Sequence, residues 1–118
     1  MSFLVALLAV QAAGAVPERS PELDAANDCL VENTHQWLAD RTITPEAEER
    51  WRWAGVVVAR CEKELAASVP SKSSQDDVLS NLRREGAPIS FSRQDLIRAE
   101  ALYYVDGMIR AHFENLAK

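Results

Sequence analysis

Glycine, cysteine and clustered charge are all scarce in this chain of 118 residues, and each scarcity removes a class of function. With four glycines in all, Gly14 among them inside an apolar leader, no glycine-rich loop exists to bring backbone N–H groups onto a phosphate. The only cysteines, Cys29 and Cys61, are too far apart for a Cys-x-x-Cys redox pair, and without a neighbouring pair of histidines they make a poor zinc site. The 13 basic and 18 acidic side chains are interleaved and sum to −5. Nucleic acid is therefore excluded as a partner, because its counterions are displaced only by clustered cations, and the same mixture offers no basic face to an anionic membrane. Beyond the first residues, no apolar run is long enough to span a bilayer.

What is present begins with that leader. Met1–Val16 carries no charged side chain, and Phe3–Val10 is continuously apolar, the character of a secretory signal core. Ala13, Gly14 and Ala15 supply the small residues a signal peptidase accepts, so residues 1–15 are expected to be a signal peptide cleaved before Val16. Residues 16–118 then form a single helical domain, periplasmic or secreted, with no membrane span in the mature chain. Against this, the leader has no basic flank beyond its α-amino group, and an apolar first helix of a cytosolic protein is the competing reading. In an oxidising compartment Cys29 and Cys61 are expected to pair, which on the chain-entropy argument stabilises by about 3–4 kcal/mol. Two buried free thiols are the alternative.

Helix grammar recurs along the rest of the chain. Ser20-Pro21-Glu22 offers a hydroxyl cap, a proline at the first position and an acid facing the dipole, and Leu23, Ala26, Leu30, Thr34 and Trp37 follow at helical spacing to about Asp40. Thr44-Pro45-Glu46 repeats the start, and Ala47, Trp51, Ala54, Val58, Cys61 and Leu65 alternate spacings of four and three, with Val57 and Trp53 widening the stripe. The short connection at Arg41–Thr44 predicts that these helices pack antiparallel, with the two cysteines level. Val69–Ser74 reads as a polar loop, followed by a short helix through Val78, Leu79 and Leu82 that Gly86 stops. Ser92 and Asp95 then open a last helix, with Phe91 and Leu96 spaced as a hydrophobic staple. Its apolar side is expected at Ile97, Ala101, Tyr104, Val105, Met108, Ile109, His112 and Leu116, and its polar side at Glu100, Asp106, Arg110 and Glu114. The fold class predicted is all-α: a small bundle of three long helices plus one short helix, with the helix 1–2 hairpin stapled by a disulfide.

No catalytic constellation emerges. The serines sit in the 71–74 loop and at caps, neither histidine has a partner at recognisable spacing, and the acid pairs Glu48-Glu49 and Asp76-Asp77 belong to first helical turns where the dipole accounts for them. An enzyme is not expected, and no cofactor or metal is assigned. Glu32 and His35 share a helical face but lack the second copy that a carboxylate-bridged metal site needs. Trp37, Trp53 and Tyr103 are the candidate interaction surface for another envelope or secreted protein, and core packing is the alternative use of these rings. The leading functional expectation is a non-enzymatic protein-interaction module. The alternative is a small-ligand or metal carrier between the second and last helices, with Met108, His112 and Tyr104 at its mouth. Gly55 is expected to mark a close helix approach.

Overall fold

A computed structural model describes residues 20–69, 75–88 and 90–118. The leader with its cleavage point before Val16, and the predicted loop at 70–74, lie outside the described residues. Five helices and no strands are present among the described residues: α1 (Pro21–Leu38), α2 (Ala47–Arg60), α3 (Glu62–Ser68), α4 (Gln75–Arg84) and α5 (Arg93–Leu116).

The caps act as their residue types dictate. Ser20 Oγ accepts the N–H of Leu23 at 3.1 Å, satisfying one of the donors that a helix start leaves open. Ser92 and Asp95 form a reciprocal capping box at the head of α5: Ser92 Oγ accepts from the Asp95 N–H at 3.2 Å, and Asp95 Oδ2 accepts from the Ser92 N–H at 2.8 Å. Gly86 has φ +110°, and the N–H groups of Gly86 and Ala87 reach back to the carbonyls of Arg83 and Leu82, closing α4 with a Schellman turn.

Two boundaries differ from the sequence pattern. The first turn of α2 begins at Ala47 with Glu46 at its cap, so Thr44 and Pro45 remain in the connection. The second long helix is also broken: Cys61 leaves helical geometry at φ −108° and ψ 19°, its N–H bonds to Val58 O, and α3 begins at the next residue. The break serves the packing, since α2 lies mainly against α5 and α3 mainly against α1, and a straight helix could not follow both.

Cys29 and Cys61 are joined in a disulfide with their Cα atoms 5.9 Å apart. Trp37 meets Trp53, Cys29 meets Cys61, and Pro21 and Ala25 lie beside Lys63 and Ala67, so α1 runs antiparallel to α2–α3 as the short connection predicts. In the same way Trp51 pairs with Tyr103 and Glu62 with Arg98, which makes α5 antiparallel to α2–α3 and parallel to α1. The core between these three layers holds Ala26, Leu30, Val57, Val58, Cys61, Val105 and Ile109, each at most 2% exposed. Burying a side chain such as Ile109 or Val105 contributes roughly 1.5–3 kcal/mol. Thr34 is equally buried, and its hydroxyl is satisfied by donating to Leu30 O at 2.6 Å. Outside this core, α4 packs chiefly on α5, with Leu79 buried.

Candidate functional site

The aromatic residues singled out by the sequence fall into two separate groups. Trp37 of α1 and Trp53 of α2 pack edge to face with ring centroids 6.2 Å apart, and Trp53 also meets Phe113 of α5 at 6.3 Å. Cations cover them. The Arg41 guanidinium lies 4.4 Å from the Trp37 ring centre and 5.1 Å from that of Trp53, and Arg60 stands 5.3 Å from Trp37. Such contacts are worth about 0.5–1 kcal/mol each at exposed sites and more where water is excluded. Trp37 Nε1 and Arg41 Nε are buried without a hydrogen-bond partner among the described residues.

Tyr103 does not join that group. It is 68% exposed on α5 and packs edge to face against Trp51 of α2, with centroids 5.3 Å apart. The sequence stripe had put Trp51 inside and Trp53 at its edge. In the structure Trp51 is 37% exposed, whereas Trp53 packs against the core. The two rings stand on opposite flanks of the buried face of Ala54, Val57 and Val58: on one flank Trp53 meets Trp37 of α1 and Phe113 of α5, and on the other Trp51 meets the exposed Tyr103 of α5. Gly55, one turn beyond Trp51, is not a point of close approach, because a Cβ built there would meet no group within 4 Å among the described residues. The same holds for Gly107, one turn beyond Tyr103. The exposed aromatic pair is thus flanked on both helices by open backbone.

Asp106 of α5 is a further correction. Expected on the polar side, it is 3% exposed and holds two arginines, Arg50 of α2 through its Nε on Oδ1 and Arg110 through its Nε on Oδ2 at 3.1 Å. The Asp106–Arg110 spacing of four is legible in sequence, but Arg50 is not, because only the antiparallel α2–α5 contact brings it there. Phe113, absent from the predicted apolar side, is buried, while Tyr104 and Leu116 are 46% and 53% exposed.

The carrier constellation is redistributed. Met108 and His112 face α1, not α2, and line a crevice with Thr34, His35 and Leu38, whereas Tyr104 borders a different groove with Leu23, Leu30, Leu65 and Ile97. His112 Nε2 lies 3.3 Å from the carbonyl oxygen of Arg41, and its ring packs edge-on against Phe113. Among the described residues no group of three or more His, Cys, Asp or Glu side chains could hold a metal ion. Nor is any described helix long and apolar enough to cross a membrane.

Near the disulfide, Asn33 donates to Cys29 O at 2.9 Å and approaches both sulfurs, filling the space beside the staple. No family model, curated protein or solved structure matches this chain.

Proposed function

We propose that this chain is exported, that Cys29–Cys61 serves as a structural staple, and that the protein works without catalysis by binding another envelope or secreted protein. The observation that carries the reading is the Trp51–Tyr103 pair. Two large aromatic rings share an exposed ridge, and rings of this type supply binding energy at low cost in conformational entropy. Gly55 and Gly107 leave the backbone open on either side, where partner side chains can settle. A disulfide, here between α1 and the α2–α3 junction, is also the habit of proteins in oxidising compartments.

A photo-crosslinking residue placed at Tyr103 in the native host tests the binding reading. A defined adduct is expected, abolished by Trp51→Ala and not formed from the exposed position Lys63. No adduct from Tyr103, or one insensitive to Trp51→Ala, would sink it. Intact mass of the secreted material, with and without reduction and alkylation, tests export: a chain beginning at Val16 with two protected sulfurs is expected. A full-length chain with free thiols would return the protein to the cytosol.

The carrier reading keeps one specific observation in its favour, the two imidazoles of His35 and His112 beside Met108 in one crevice. Native mass spectrometry that finds no bound metal or small molecule would remove it.

A further inference from the structure

Asp106 has both carboxylate oxygens occupied, yet neither arginine holds it in the preferred way. An arginine grips a carboxylate best side by side, with Nε and a terminal nitrogen on the two oxygens. Here one carboxylate is shared between two arginines, each applying its Nε to a single oxygen. A guanidinium has five N–H donors. Asp106 therefore uses a small part of the donor capacity of Arg50 and Arg110 and leaves their terminal nitrogens to seek another acceptor.

Both side chains line one groove of about 370 Å³ between the start of α2 and the end of α5, at the small end of the range for ligand sites. Pro45, Phe113 and Ala117 supply apolar wall, and Glu114 stands at the border. The Arg50 side chain is 22% exposed and Asp106 4%, so this half of the charged group is largely withdrawn from water, where an ionic hydrogen bond is stronger than at an open surface, while Arg110 stands on the open side.

We propose that this groove binds a monoanionic carboxylate on a short apolar stem, with the carboxylate held by the terminal nitrogens of Arg50 and Arg110 and the stem laid against Pro45 and Phe113. Charge selects the monoanion. Two guanidiniums against Asp106 leave one net positive charge, which the Glu114 carboxylate at the border offsets further, so a phosphate dianion is disfavoured relative to a carboxylate monoanion. Asp106 is a positioning residue: it fixes two long side chains before the ligand arrives, lowering the entropy lost on binding. The stem carrying the carboxylate is either that of a small free acid or the last residue of a peptide.

The test titrates the full, oxidised chain with hexanoate by amide NMR, with hexanamide, inorganic phosphate and a leucine-ended peptide, free or amidated at its C-terminus, in parallel. Saturable shifts at Arg50, Arg110 and Phe113 are expected from a carboxylate, with the matching amide at least about tenfold weaker, the loss that follows when a hydrogen bond to a charged group is removed. Tighter binding of hexanoate than of the free-ended peptide assigns a small acid, and the reverse order assigns a chain terminus. Arg110→Gln should weaken carboxylate binding by a similar factor, and because it removes one of two cations on a carboxylate that is 4% exposed, its melting temperature is measured beside the titration to show that the variant is folded. Arg110→Lys should restore only part of it, since the charge returns without the planar fork. Equal binding of acid and amide, phosphate as tight as carboxylate, or no saturable binding of either carboxylate would overturn the proposal. The amide comparison uses the unaltered chain and so stands even if a variant fails to fold. None of these readouts involves Tyr103, so a failed cross-link there leaves the titration to be judged alone.

Discussion

Trp51 and Trp53 stand two residues apart on α2, roughly 200° around the helix, and the protein treats them oppositely. Trp53 is enclosed by Trp37 from α1, Phe113 from α5 and the Arg41 guanidinium from the connection. Among the described residues the only ring packed against Trp51 is Tyr103, which is itself in water. One cluster ties three parts of the chain together, and the other joins two helices that are already held by the Arg50–Asp106 ion pair and the shared core. The difference separates aromatic residues that hold the fold from those whose exposure calls for another explanation.

The largest test of this contrast is reduction of Cys29–Cys61, whose cysteines are 32 residues apart. It should cost about 4 kcal/mol in chemical denaturation if loop closure sets the effect. Because the bridge ties α1 to the α2–α3 junction, acrylamide quenching of single-tryptophan variants should rise for Trp37 and Trp53 and stay constant for Trp51. Next comes Trp53→Ala, which should destabilise by about 3 kcal/mol, toward the lower end for large aromatic truncations because the ring is only partly enclosed. Gly55→Ala, on the open side near Trp51, should raise stability by up to about 1 kcal/mol, since the helix gains propensity and the methyl meets empty space. The smallest effect belongs to Tyr103→Ala, expected within about 0.5 kcal/mol of the parent. If Tyr103→Ala proved as costly as Trp53→Ala in the same unfolding experiment, the exposed pair would be structural and the contrast would collapse.

Features that depend on neighbours in sequence were legible before the structure. Ser20, Ser92 with Asp95, and Gly86 act within a turn of where they stand, so residue type decides their role. The pairing of Cys29 with Cys61 was legible because a short connection forces two helices to run back along each other. What escaped were quantities measured around the helix axis. Periodicity reports that a helix has an inner side, but α2 packs against both α1 and α5, and α5 packs against α1, α2, α3 and α4, and the side that ends up inside is a compromise among them. That compromise moved Trp51 out, brought Phe113 in and turned Met108 and His112 toward α1. The candidate site was less legible than the fold. Sequence singles out Tyr103 together with Trp37 and Trp53, which pack against the core, and puts its partner Trp51 inside; it puts Asp106 in water because a charged residue gives no sign in sequence that two arginines will follow it inside.

By itself, then, the sequence determined an all-helical chain, the caps that start and stop its segments, and a hairpin that levels two cysteines, because each rests on local backbone preferences or a short tether. Only the tertiary structure decided where the second long helix breaks, which tryptophan meets water, and that Asp106 gathers Arg50 and Arg110 at one groove. Those outcomes depend on the packing of helices distant in sequence, where burial and charge pairing outweigh the pattern of any single helix.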